Sequence, residues 1–244
     1  MLNIKNLEKF SDQAQTTIQN VVREYCQHVF LSSLYKQSGS ERLLFKGGTA
    51  LRIVFHSPRY SEDLDFTGIN ITHAEVEDIF MSTLEGVENT GIRVELLEGK
   101  PTSGGYIGLA IFYAYGRETR VHIEVSLRPG PALWGITTPI ENDYITAYTL
   151  VHLPEKKIIT GKLQALMDRH KPRDFYDYWF LLSGNHPIVK EKENLTRVLA
   201  LLKESKLDFR RELREFLPAS HLMHLRDFKK TLESKILSFL GDTP

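Results

Sequence analysis

From residue 6 to residue 36, apolar side chains recur at helical spacing, at Leu7, Phe10, Ala14, Ile18, Val21, Val22, Tyr25 and Val29, with polar residues between them. This predicts a helix that stops at the Ser38-Gly39-Ser40 break. A short apolar run, Leu43-Leu44-Phe45, leads into the glycine pair Gly47-Gly48. Residues 49–55 then read as a helix ended by Ser57-Pro58, and residues 64–67 as a buried strand. Thr72 opens a further helix through about Glu88, with Glu75 three residues on to complete a capping box. Strand-like segments follow at 92–97, 107–113 and 119–127. Gly104-Gly105 and Gly116-Arg117 mark the turns between them, and the second turn is short enough to predict an antiparallel hairpin.

After a loop around Pro129, Pro131 and Pro139 the pattern changes. From about Pro154 to Leu240 only helical periodicity is seen, over 158–169, 173–182, 188–205, 209–216 and 222–239. The expected organisation is an α+β domain over residues 1–150, with helices packed on a small mixed sheet, and an all-helical bundle over 151–244.

Composition adds bounds. The chain has 244 residues, 41% hydrophobic and 25% charged, ordinary values for a globular protein. Basic and acidic residues balance at 31 each, so any nucleic-acid contact must come from a local patch. Cys26 is the lone cysteine, which excludes an intramolecular disulfide and fits a reducing compartment. The N-terminal stretch MLNIKNLEKF lacks the charged and apolar regions of a signal peptide, and no apolar run approaches membrane-spanning length. A cytoplasmic protein without a membrane partner is expected.

The candidate chemistry is concentrated at Asp63-Leu64-Asp65-Phe66. In a strand, Asp63 and Asp65 share one face while Leu64 and Phe66 enter the core. Two neighbouring carboxylates call for a hard cation with oxygen ligands, Mg²⁺ first, with Mn²⁺ as a substitute. The bland alternative is a helix cap or solvated edge. Gly47-Gly48 allow close backbone approach to a phosphate, with free N–H groups at the following helix start, and Ser61 adds a hydroxyl. Glu124, in Val121-His122-Ile123-Glu124-Val125-Ser126, alternates onto a face with His122 and Ser126. It completes a carboxylate triad with Asp63 and Asp65 if the two strands are neighbours, and is otherwise a solvent-facing edge residue. Further on, Lys162 and Arg169 lie two helical turns apart, Pro172 marks a helix start, and Asp174 and Asp177 lie three apart. Either these acids decorate a helix N-terminus, with Lys171 and Arg173 solvated, or Lys162 reaches a triphosphate and an aspartate orders it. Phe175, Tyr176, Tyr178 and Trp179 fit bundle core better than base stacking.

These pieces resemble the nucleotidyltransferase superfamily that includes DNA polymerase beta and the tRNA CCA-adding enzymes. Its hallmark is an hG[GS] turn, an hDh[DE]h strand and a third acid on a later strand. Within it, KGGTALR, SPRYSEDLDFT and KPRDFYDYWFLL look like the AbiEii/AbiGii toxins of type IV toxin–antitoxin and abortive-infection systems, over about residues 43–182. The gap between Gly48 and Asp63 is longer than in polymerase-type members. The resemblance implies a polymerase-beta-like domain plus a helical lobe, NTP as substrate, Mg²⁺-dependent transfer and a separately encoded antitoxin. It also implies the 3′ end of tRNA as acceptor, with translation blocked. By matching position, Asp63 and Asp65 would bind metal, while Lys46, Gly47, Gly48, Thr49 and Ser61 would form the triphosphate turn. Lys162, Arg173, Asp174 and Asp177 would form the later motifs.

The leading expectation is thus nucleotidyl transfer to RNA, with Glu124 or Asp177 accepting the proton of the attacking hydroxyl. Transfer to a protein hydroxyl is the first alternative, favoured by the neutral net charge, since RNA binders are usually basic. A non-catalytic nucleotide- or partner-binding module is the second.

Overall fold

The computed structural model describes residues 1–128 and 134–241. They fall into two units, residues 1–56 with 60–154, and residues 57–59 with those from 155 onward. The expected loop at Pro129 and Pro131 lies outside the described residues.

The first unit contains α1 (Ile4–Gln13), α2 (Ile18–Leu34), β1 (Leu43–Lys46), α3 (Gly47–Ile53), β2 (Leu64–Ile69), α4 (His73–Glu88), β3 (Arg93–Thr102), β4 (Gly105–Ala114), β5 (Arg117–Arg128), β6 (Ile136–Ile140) and β7 (Tyr148–His152). The strands form one seven-stranded sheet in the order β3-β4-β5-β2-β1-β7-β6. It is mixed, because β2–β5 and β1–β7 are parallel pairs and the other neighbours are antiparallel. The α+β expectation holds, with a larger sheet than the sequence pattern suggested.

α2 and α4 pack together closely, and the reason is local. A Cβ at Gly86 would lie 2.1 Å from the Ser33 hydroxyl oxygen, so a side chain there would have to displace that hydroxyl. The Ser33 hydroxyl donates to the Thr83 carbonyl at 2.8 Å, satisfying a polar group that the contact buries. The Thr72–Glu75 capping box forms as expected and starts α4.

Three expectations need correction. The helix over residues 6–36 is two helices, because Thr17 caps α2 by accepting from the Asn20 N–H and Gln15 takes a positive φ of 51°. Apolar periodicity runs unbroken from Ala14 to Ile18, so pattern alone hides the break. The helix α3 starts at Gly47, ahead of Thr49. Pro139, expected in a loop, sits in β6, a strand at the sheet edge, where a residue without an N–H is tolerated.

The second unit contains α5 (Glu155–Arg169), α6 (Pro172–Ser183), α7 (Lys192–Glu204), α8 (Phe209–Leu213), α9 (Ala219–Leu225) and α10 (Phe228–Gly241). Segments expected as single helices over 188–205 and 222–239 each begin with a separate short turn or helix. Its core is aromatic and aliphatic. Phe175 meets Phe209 edge-on at 5.7 Å, and Tyr176 stacks on Phe228 at 5.9 Å. Phe175, Tyr176 and Tyr178 are buried, so they are core residues as the sequence suggested.

Candidate active site

Strand register assembles the centre of the first unit. Lys46 on β1 pairs with Asp65 on β2, and Asp65 pairs with Glu124 on the parallel neighbour β5. Residues opposite each other share a sheet face, so a cation and two carboxylates stand in one row across three strands. Their neighbours Leu64, Phe66, Ile123 and Val125 turn to the other face and are buried. The alternation read from the sequence therefore places Glu124 beside Asp65, with Glu124 exposed and Asp65 half-buried. Asp63 is half-buried and immediately precedes β2.

Lys46 is held by donating to the Ser126 hydroxyl at 2.9 Å. Partial burial draws its ammonium below the ordinary lysine range, while Asp65 and Glu124 pull it back toward the charged form. The sequence motif assigned Lys46 to phosphate binding. Its position sets a positive charge beside the carboxylate pair.

Gly47 explains the glycine at the strand end. Its φ is +83°, and an added Cβ would lie 1.9 Å from Asp65 Oδ2. The backbone thus passes directly against the Asp65 carboxylate, which only a residue without a side chain permits. Gly48 is buried in the first turn of α3. Thr49 is fully buried and its hydroxyl donates to the Asp63 carbonyl, so it fixes the start of β2. What Thr49 can offer a phosphate is its backbone, since its side chain is engaged. Ser61 is half-buried, and Gln27 from α2 anchors its loop by donating to the Ser61 and Glu62 carbonyls at 3.0 and 3.2 Å. Among the described residues, no group of three or more His, Cys, Asp or Glu side chains is gathered tightly enough to hold a metal ion. The expected triad is therefore not assembled as one group: Asp65 and Glu124 stand opposite each other in register, and Asp63 lies just before the strand.

The later motif builds a different object in the second unit. Asp177 is buried and receives two parallel bonds from Arg59, Nε to Oδ1 at 2.8 Å and Nη2 to Oδ2 at 2.9 Å. Lys162 donates to Oδ2 at 2.9 Å. Burial by itself would raise the Asp177 pKa, but Arg59 and Lys162 outweigh it and hold the carboxyl down at about 2. This corrects the expectation that Asp177 accepts a proton from an attacking hydroxyl: its oxygens are occupied and its basicity is too low for that exchange near neutral pH. Asp174 is also buried, accepting from Arg169 at 2.6 Å and from the Lys171 backbone N–H at 3.2 Å. It caps α6, the structural alternative weighed for it, rather than facing a nucleotide. Lys171 is exposed. Arg173 is half-buried and its Nε is buried without a hydrogen-bond partner among the described residues.

Arg59 was missed as a site residue. It lies inside the SPRYSEDLDF stretch, but its partner is 118 positions away, and no local spacing signals such a pair. Ser126 was noticed only as a neighbour of Glu124, because its bond to Lys46 depends on strand order.

Comparison with known proteins follows the same lines. The family model of the nucleotidyl transferase AbiEii toxin, type IV toxin–antitoxin system, matches residues 29–241. MenT4, a nucleotidyltransferase toxin from Mycobacterium tuberculosis, is 19% identical with a TM-score of 0.65, covering 100% of this chain and 91% of its own. JHP933 from Helicobacter pylori is 20% identical with a TM-score of 0.59, covering 93% and 94%. At such identities the structural likeness speaks to the fold. No curated protein matches the chain.

Proposed function

Because the chain belongs to the AbiEii family of nucleotidyltransferase toxins of type IV toxin–antitoxin systems, we propose that it transfers a nucleoside monophosphate from an NTP to the 3′ end of an RNA, tRNA being the leading acceptor. The observation that carries this reading is the Lys46–Asp65–Glu124 row, with Gly47 making room for the Asp65 carboxylate. Family membership also implies a cognate antitoxin. Among the described residues no helix is long and apolar enough to cross a membrane.

The donor set fits Mg²⁺, a hard ion that takes one or two protein carboxylates and leaves its remaining positions to phosphate and water. Asp65 and Glu124, with Asp63 beside them, are the residues that would hold it. When bound, the ion supplies positive charge to the reacting phosphate and acidifies the attacking hydroxyl. The residues of the chain account for the rest. The acceptor 3′-oxygen bonds to the α-phosphorus, the α–β phosphoanhydride bond breaks, and pyrophosphate leaves. The hydroxyl proton passes to the Glu124 carboxylate, which is exposed and so reachable. Lys46 keeps the acidic row from repelling a polyanionic substrate. In the helical unit, Asp177 fixes the Lys162 ammonium.

The test is incubation of the purified protein with Mg²⁺, total bacterial RNA and each α-labelled NTP in turn, beside the Asp63→Ala–Asp65→Ala double variant. Label entering tRNA-sized material with wild type alone is the expected result. Equal labelling by the double variant, or label appearing on protein and not RNA, would overturn the reading.

A further inference from the structure

Ser126 and Glu124 share one face of β5, two residues apart. They belong to adjacent rows across the sheet. Ser126 pairs with Thr67 and Thr67 with Leu44, while Glu124 pairs with Asp65 and Asp65 with Lys46. Lys46 starts on β1, two strands and about 10 Å from β5. To donate to the Ser126 hydroxyl at 2.9 Å, its side chain therefore crosses β2 on the diagonal and leaves its own row. Asp65 and Glu124 both attract the ammonium, and a lysine stem is flexible enough to swing toward them. Yet Lys46 forms no salt bridge among the described residues, and its hydrogen bond goes to Ser126. The Glu124 carboxylate is left exposed, with no salt bridge among them either.

The backbone that carries Ser126 is held from two directions. Gly105 of β4 pairs with Ser126, and a Cβ on Gly105 would lie 1.8 Å from the Val125 carbonyl oxygen, so the strands meet backbone to backbone there. The Leu127 N–H donates to the Gly104 carbonyl at 2.9 Å, and the His73 ring of α4 donates to the Gly105 carbonyl at 3.0 Å. A serine side chain has one heavy-atom torsion, so a fixed backbone confines its hydroxyl oxygen to a few staggered positions. The long, adaptable partner in this bond is the lysine, and the short, fixed one is the serine.

We propose that Ser126 is a positioning residue: it holds the Lys46 ammonium on the diagonal, away from Glu124 and Asp65, and so keeps the carboxylate row open to a divalent cation. The assignment rests on the reading of that row as the Mg²⁺ site of nucleotidyl transfer. It adds to that reading the side chain that stops the resident ammonium from competing for the site. Without the hydroxyl the ammonium swings to Glu124, and an entering cation must first displace it.

The experiment titrates the full chain, free of NTP and RNA, with Mn²⁺, the unbound ion being read by electron paramagnetic resonance. Ser126→Ala is expected to raise the Mn²⁺ Kd about three- to tenfold, the worth of one hydrogen bond. Ser126→Thr keeps the hydroxyl and suits a strand, so it should bind within about twofold of wild type. Ser126→Val has the shape of threonine without the hydroxyl and should behave as Ser126→Ala, which separates the lost bond from lost packing. Lys46→Met removes the competing ammonium, so adding Ser126→Ala to it should change the Kd by less than about twofold. An unchanged Kd in Ser126→Ala and Ser126→Val, an equal loss in the Lys46→Met background, no recovery in Ser126→Thr, or no Mn²⁺ binding by wild type would each overturn the assignment. Transfer of labelled NTP to bulk bacterial RNA keeps the two readings apart. If Ser126→Ala weakens Mn²⁺ binding as expected and wild type labels no RNA, the transfer reading fails and the positioning role stands. If wild type labels RNA and Ser126→Ala binds Mn²⁺ equally well, the positioning role fails and the transfer reading stands.

Discussion

Each unit of this chain contains an aspartate held near cations, and the two settings differ in exposure more than in composition. In the sheet unit, Asp65 and Glu124 share a row with Lys46 on a face that opens to solvent at Glu124. In the helical unit, Asp177 is clamped by Arg59 and Lys162, with the Asp177 and Arg59 side chains only 2% and 5% exposed. The open row reaches solvent at Glu124, and it is bordered by a glycine that leaves it room. The closed cluster has its oxygens filled and its charge matched at close range. A carboxylate that must exchange ligands or protons belongs to the first kind. One that must hold a lysine in place belongs to the second.

The contrast can be broken most forcefully at Asp177. Asp177→Asn leaves Arg59 and Lys162 buried without their counter-charge, and removing one member of such a pair costs about 3–5 kcal/mol. The melting temperature should fall by roughly 10 °C, read by calorimetry or circular dichroism. A variant that melts like wild type while losing transfer would move Asp177 into the catalytic class.

The next effect concerns Gly47→Ala. The side chain would collide with Asp65 Oδ2 and would have to adopt a φ of +83°, so the carboxylate is expected to shift. Misplacing a reacting-site group by about 1 Å can cost about 100-fold in rate, measurable as a drop in kcat with labelled NTP. Full activity in Gly47→Ala would mean that the position of Asp65 is not critical, and would dissolve the distinction drawn here.

The smallest effect is on pH dependence. Asp177 is more acidic folded, at about 2, than the ordinary 3.8. A group acidified by folding favours the folded state above its ordinary pKa, and that advantage fades as pH falls from about 4 through 2. About 2 kcal/mol of stability should be lost over that window, and the acid limb of a stability–pH curve should flatten in Asp177→Asn. An identical acid limb in the two proteins would show that Asp177 is not the group responsible.

Much of the open row was legible in advance. Alternation along β5 put Glu124 on the polar side, and alternation along β2 did the same for Asp65, because strand side chains switch faces at every residue. What alternation could not supply was which strands are neighbours. β2 and β5 are separated in the chain by α4, β3 and β4, yet they pair in parallel with Asp65 opposite Glu124. The same gap hid β6 and β7, two runs of only five residues each, the first interrupted by Pro139. They become strands because β1 offers β7 a free edge. The closed cluster was hardly legible, since residues 57–59 group with the helices rather than with the flanking sheet segments.

The chain by itself determined the local facts: where helices begin and are capped, which side of each strand is apolar, where glycine is required, and which motif family the acids belong to. Those follow from backbone geometry and side-chain chemistry within a few residues. Only the tertiary structure decided which charges meet, and whether water reaches them. Arg59 finds Asp177, and Lys46 finds the Asp65–Glu124 pair, through sheet order and helix packing. Burial then sets whether a carboxylate is locked in place or free to react, because removing water strengthens every remaining interaction and raises the cost of losing one.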